Sequence, residues 1–202
     1  MNKKKAFWFI ISIFFLVLTG VSAYATDDNF TNLTYDPGKL KPTDSNLKVK
    51  AGQEAPNFTL PSISGKKITL SDYRGKKNIL LSFVPAAWTP ICSHQWPGYN
   101  IAKDSFDKSD TILLGISVDN LPTLYAWTKQ MGQVWFEVLS DFWPHGKVAS
   151  TYGVLRSDGV AERALFYINK EGIINAIMVM DINQKPDLKQ CKAELKKLNK
   201  VE

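Results

Sequence analysis

Short apolar runs alternate with polar breaks along most of this chain. Asn78–Val84 and Thr111–Val118 are near-continuous apolar stretches, and each reads as a strand buried on both faces. Ala164–Asn169 and Ile173–Met180 read as two further strands joined by the tight turn Lys170-Glu171-Gly172. Asn57–Leu60 and Lys67–Leu70 flank Ser64-Gly65-Lys66 as a small hairpin, Ser71–Gly75 is a helical turn, and Val138–Asp141 is a short strand end. Helical spacing takes over elsewhere. From about Cys92 to Lys108, Trp96, Tyr99, Ile101 and Phe106 mark one apolar face, and Leu121–Met131 forms a helix ended by Gly132. Lys147–Tyr152 gives one or two turns, and Asp187–Leu198 closes the chain with Leu188, Cys191, Leu195 and Leu198 on one stripe. The order β-α-β-α-β-α-β-β-α predicts an α/β sandwich, with helices flanking a mixed sheet.

The first residues follow another pattern. Lys3, Lys4 and Lys5 precede an apolar run from Ala6 to Leu18, which leads to Ala23-Tyr24-Ala25. This reads as a signal peptide over residues 1–25, cut after Ala25, and predicts export, most simply to a periplasm. The competing reading, a membrane anchor over residues 6–25, suffers from the shortness of the apolar core. No cysteine follows the cut, which argues against a lipoprotein. Residues 26–48 are polar and contain Pro37, Gly38 and Pro42, as in a linker or an extended N-terminal arm. Residues 49–202 have the length of one domain with a real core.

Charge changes little in this picture. The formal net charge is +6, and residues 1–25 hold three lysines and no acid, so +3 remains without them. Lys192, Lys196, Lys197 and Lys200 form a solvated helical face, and no nucleic-acid motif is present. The two cysteines form neither a disulfide framework nor a zinc pattern. The only histidines, His94 and His145, have no metal-type spacing with two thiols, so neither metal nor cofactor is expected.

The chemistry centres on Cys92, which ends the run Pro85-Ala86-Ala87-Trp88-Thr89-Pro90-Ile91-Cys92. A strand before it and a helix after it place the thiol in a first helical turn. Unpaired backbone N–H groups and the helix dipole there favour the thiolate, which is the nucleophile. Cys92-Ser93-His94-Gln95 lacks the second thiol of a disulfide-exchange C-x-x-C motif.

Pro85, Thr89 and Cys92 together match P-x-x-x-T-x-x-C, and the chain from about residue 49 to 198 resembles the peroxiredoxins of the AhpC/TSA superfamily. Ala55–Phe58, Leu70–Lys76, Ser140–Gly146 and Tyr152–Val154 extend the likeness, in particular to the AhpE branch of one-cysteine type. The resemblance implies a thioredoxin-like three-layer sandwich and a thiol peroxidase that forms a sulfenic acid on Cys92. It implies a peroxide substrate, an external thiol or thioredoxin-like reductant, and a homodimer. Arg163, in Glu162–Asn169, falls where the family carries its active-site arginine, whose fork of donors suits both sulfur and peroxide oxygen. Thr89 is expected to accept from the peroxide and donate to the thiolate, or else to cap the helix. Pro85 keeps the loop rigid and shields the sulfur. Gln95 stands where many members have glutamate, and leaves the arginine charge less compensated.

Three points stay open in the sequence. Cys191 is either a packed small hydrophobe or a resolving thiol. Trp88, Phe142 and Trp143 are either core aromatics or an apolar rim for a hydroperoxide tail. The chain itself is either a peroxidase or a non-catalytic thioredoxin-fold binding or redox-sensing module.

Overall fold

In a computed structural model that describes residues 30 and 32–198, β1 (Thr59–Pro61) and β2 (Lys67–Thr69) pair as an antiparallel hairpin. A turn of 3-10 helix at Leu70–Tyr73 follows. The main sheet comprises β3 (Asn78–Phe83), β4 (Thr111–Ser117), β5 (Glu137–Ser140), β6 (Arg163–Ile168) and β7 (Ile174–Met180). Its order is β5-β4-β3-β6-β7, with β3, β4 and β5 parallel and β6 antiparallel to both neighbours. The helices are α1 (Pro90–Asn100), α2 (Lys103–Lys108), α3 (Leu121–Gln130), α4 (Lys147–Tyr152) and α5 (Leu188–Lys197). The expected leader lies outside the described residues.

The layers follow from connection handedness. Strands β3, β4 and β5 step in one direction, so two right-handed crossovers put α1–α2 and α3 on the same face. Helix α5 joins them there, around Trp96, Tyr99, Phe106, Trp127, Cys191 and Leu195. The opposite face packs the hairpin and α4 through Phe58, Leu60, Val148 and Tyr152. Every residue of β3 and β6 is buried, because both strands are covered on two sides. Alternation then sorts their side chains: Ile79, Leu81 and Phe83 join one core, while Leu80, Ser82 and Val84 face the helices α1 and α5.

Two expectations need correction. The single helix expected over Cys92–Lys108 is two, broken at Ile101 and Ala102, and Ile101 is exposed rather than packed. The spacing misled because α1 ends on Asn100 and the backbone leaves helical geometry at Ala102, so Ile101 falls at the break rather than on a continuous helical face. Helix α1 lies close against β4 because residue 115 is glycine. A Cβ there would stand 2.8 Å from Cζ2 of the fully buried Trp96.

Residues 32–48 have no regular secondary structure, yet they are docked along their length. Tyr35 N–H donates to the Trp88 carbonyl at 2.7 Å, and Ile182 N–H donates to the Pro42 carbonyl at 3.0 Å. Asp44 N–H donates to Glu162 Oε1 at 2.5 Å, and Lys48 N–H to the Tyr152 carbonyl at 3.2 Å. Glu162 is itself buried in an ion pair with Arg156 at 2.9 Å.

Candidate active site

The site forms where the register of the central strands brings distant residues together. β6 runs antiparallel to β3 with Ala164 opposite Phe83, so Arg163 stands beside the carboxyl end of β3. The loop Val84–Thr89 leaves from that end and turns into α1. Thr89 holds the N-cap position with extended backbone, Pro90 opens the helix, and Cys92 is its third residue. Trp88 adopts φ 61°, a left-handed conformation that costs a non-glycine residue about 1 kcal/mol or more. The turn is held from both sides. Ala87 N–H donates to Asp119 Oδ2 at 2.8 Å, Ser117 Oγ donates to the same oxygen at 2.6 Å, and the Trp88 carbonyl accepts from Tyr35.

Cys92 is completely buried. Both terminal nitrogens of Arg163 point at its sulfur, each at 3.6 Å. Nη1 also donates to Gln95 Oε1, and Nη2 to the Ile182 carbonyl at 3.0 Å. Arg163 is 2% exposed, and among the described residues its Nε is buried without a hydrogen-bond partner. Among the described residues its hydrogen-bond acceptors are neutral, apart from the Cys92 sulfur when ionised. A buried guanidinium without a carboxylate partner is costly, and an anionic sulfur offsets that cost. Gln95 is fixed in turn: its Nε2 donates to Ser82 Oγ at 3.2 Å and to the Tyr99 hydroxyl at 3.1 Å.

Thr89 departs from expectation. Its hydroxyl donates to the Ala86 carbonyl at 2.9 Å, so it neither caps α1 nor donates to the sulfur. The tight turn before the helix presents that carbonyl first. Pro85 is buried in the loop. Phe142 and Trp143 are 47% and 82% exposed, so neither is a core aromatic, whereas Trp88 is half-buried and packs at 6.0 Å against the Phe30 ring. His145 Nε2 pairs with the Gly159 carbonyl at 2.7 Å. His94 Nδ1 pairs with the Pro90 carbonyl at 2.6 Å.

Cys191 lies on the same side of the sheet in an apolar setting, beside Tyr167. Burial pushes its thiol above the ordinary value of 9.0, and the nearby Tyr167 hydroxyl opposes this in part. Sequence reasoning missed Asp119, Ser82, Tyr99 and Ile182. An acid just after a strand that ends beside the loop was a usable signal for Asp119; the rest needed the register.

Residues 51–177 match the AhpC/TSA family. Alkyl hydroperoxide reductase E of Mycobacterium tuberculosis is 41% identical over 127 residues, 62% of this chain and 82% of that protein. A chloroplastic 2-cysteine peroxiredoxin of Chattonella marina var. antiqua is 34% identical over 146 residues, 68% of this chain and 74% of that protein. The reduced 2-Cys peroxiredoxin of Plasmodium vivax superposes with a TM-score of 0.69 at 27% identity, covering 73% of this chain and 81% of that one. The matched segment holds β1 to β6, the Val84–Thr89 loop, Cys92 and Arg163, and the sandwich around them is the peroxiredoxin form of the thioredoxin fold; this chain belongs to the AhpC/TSA family.

Proposed function

We propose that this chain is a thiol-dependent peroxidase whose peroxidatic residue is Cys92 and whose reductant is an external thiol. The observation that carries the reading is the Arg163 fork, with both Nη atoms 3.6 Å from a buried sulfur and only neutral groups as competing acceptors. The Cys92 thiolate attacks the terminal oxygen of a hydroperoxide. An S–O bond forms, the O–O bond breaks, and the departing oxygen leaves as an alcohol or water after taking a proton. Arg163 donors stabilise charge on that oxygen as it develops. The product, Cys92 sulfenic acid, is reduced by two external thiols: the first displaces water to give a mixed disulfide, and the second releases Cys92 as thiol. Because Cys92 is completely buried, peroxide reaches it through local opening of the loop and the first turn of α1.

The family relationship supports the reaction type, and the relatives include hydroperoxide reductases and peroxiredoxins by name. The burial of Cys191 supports a one-cysteine cycle. The pattern of residues 1–25 supports export with cleavage after Ala25. The edge strand β7, half-buried beyond the point where Ile174 pairs with Gly52 and Gln53, offers a surface to a second copy, which light scattering tests. The deciding assay is peroxide consumption by the purified protein with dithiothreitol as donor. Turnover that depends on both thiol and Cys92 supports the reading, and none across hydrogen peroxide and organic hydroperoxides favours a redox-sensing or binding module.

A further inference from the structure

We propose that Ser82 and Tyr99 are positioning residues of this site: they accept the two amide hydrogens of Gln95, fix its orientation, and so hold Arg163 against the Cys92 sulfur. The inference rests on the peroxidase reading for its kinetic consequence and on the geometry alone for its structural one. A carboxylate has two equivalent oxygens and can accept from an arginine in either orientation. An amide has one accepting end and one donating end, so a glutamine beside a guanidinium must be turned the right way. Arg163 can only donate, and Gln95 gives it Oε1. The donating end then needs acceptors, and in a buried site it must find them among fixed groups.

Two are present. Ser82 Oγ lies 3.2 Å and the Tyr99 hydroxyl 3.1 Å from Gln95 Nε2, and the two oxygens stand 3.3 Å apart. One hydroxyl donates to the other, and both use oxygen lone pairs toward the amide. Gln95 is 4% exposed, and Ser82 and Tyr99 are completely buried, so water supplies no substitute. Their placement is economical. Tyr99 lies four residues beyond Gln95 on α1, the same face one turn later, and Ser82 is the helix-facing polar residue of β3 between Leu80 and Val84. Burial keeps the Tyr99 phenol protonated far above its ordinary range, so it stays a neutral partner.

Losing these acceptors leaves a buried N–H pair unsatisfied. Gln95 relieves that by rotating or by turning its amide end for end, and either movement takes Oε1 away from Arg163. Nη1 then loses one of its two partners, and Arg163 keeps only the Ile182 carbonyl to aim it at the sulfur.

The test compares wild-type protein with Tyr99→Phe, Ser82→Ala and each of these combined with Gln95→Glu. Stopped-flow oxidation of Cys92 by hydrogen peroxide gives a rate constant, iodoacetamide alkylation of Cys92 gives a second, and far-UV circular dichroism with melting checks the fold. Tyr99→Phe should slow oxidation about five- to thirtyfold, the equivalent of one hydrogen bond. Placing glutamate at 95 should bring the double variant to within about threefold of Gln95→Glu alone, because a carboxylate needs no orienting (about 0.6 kcal/mol at most by the usual conversion). Ser82→Ala should behave the same way and decides the matter if Tyr99→Phe fails to fold. A folded Tyr99→Phe and a folded Ser82→Ala that both react within twofold of wild type overturn the proposal. So does a loss that glutamate does not rescue, since that marks packing rather than orientation. If wild-type protein shows no peroxidase turnover, the functional reading fails. The alkylation rates then decide the positioning role alone, with slower alkylation in the single variants and rescue by glutamate expected.

Discussion

Cys92 and Cys191 are both buried on the helix-covered side of one sheet, yet their surroundings differ in kind. Cys92 sits in the first turn of α1 with the Arg163 fork on its sulfur. Cys191 sits one turn into α5, where burial raises its thiol and the Tyr167 hydroxyl interacts with it. Burial alone therefore silences a thiol, and burial against a guanidinium whose other hydrogen-bond acceptors are neutral makes one chemically useful. A chain of hydrogen bonds runs from Arg163 through Gln95 to Tyr99, which packs in the same core cluster as Cys191.

The comparison breaks first at the nucleophile. Cys92→Ser should abolish thiol-dependent peroxide consumption in a folded protein, because serine is far less ionised at any working pH. Substantial turnover in that variant, measured beside an intact circular dichroism spectrum, would place the chemistry elsewhere. Next in size comes the cation. Arg163→Ala should slow Cys92 oxidation by about 10²–10³-fold, the usual cost of one preorganised electrostatic donor. Stopped-flow kinetics checks this, and a loss below about threefold would remove Arg163 from the mechanism.

The ease of reading these regions from sequence was unequal. The strands β3, β4 and β6 were legible because strands covered on two faces are written as continuous apolar runs, and the half-buried edge strand β7 because it is apolar apart from Asn175. Cys92 was legible because a strand, a short loop and a helix place it in a first turn. Arg163 came through the family likeness, since nothing local marks one arginine at a strand start. Thr89 was misread in detail: its hydroxyl takes the Ala86 carbonyl, a choice set by the turn around the left-handed Trp88. Ser82, Tyr99 and Ile182 were illegible because their roles depend on which strand faces which helix. The docking of residues 32–48 was equally hidden, since its contacts run through backbone groups that any sequence carries.

A smaller effect sharpens the comparison from the other side. Cys191→Ala should leave the peroxidase rate within about twofold of wild type, because no reacting group touches Cys191. One equivalent of peroxide should leave a dimedone-trappable sulfenic acid on Cys92 and one free thiol, read by mass spectrometry. A Cys92–Cys191 disulfide, within or between chains, would make Cys191 a resolving residue and end the contrast.

The smallest effect is on stability, and it isolates Cys191 through pH. Its folded thiol is raised above the ordinary 9.0, chiefly by burial. At neutral pH both folded and unfolded chains hold the proton, so the group is silent. As pH rises through the ordinary range, the unfolded chain gives up the proton while the folded chain keeps it. The folded state then binds more protons, and its stability falls by up to about 1.4 kcal/mol per pH unit for this one group. Tyr99, Tyr152 and Tyr167, all raised from 10.0 by burial first of all, add the same trend at higher pH. Cys191→Ala removes the earliest of these terms and costs about 1 kcal/mol of packing at neutral pH. Cys92 is present in both proteins and cancels. Urea unfolding at pH 7.5 should therefore find the variant less stable, and the gap should narrow or reverse by about pH 10. Parallel stability curves across that range would show that Cys191 does not hold its proton in the folded chain, and the two thiols would then be less different than their neighbours imply.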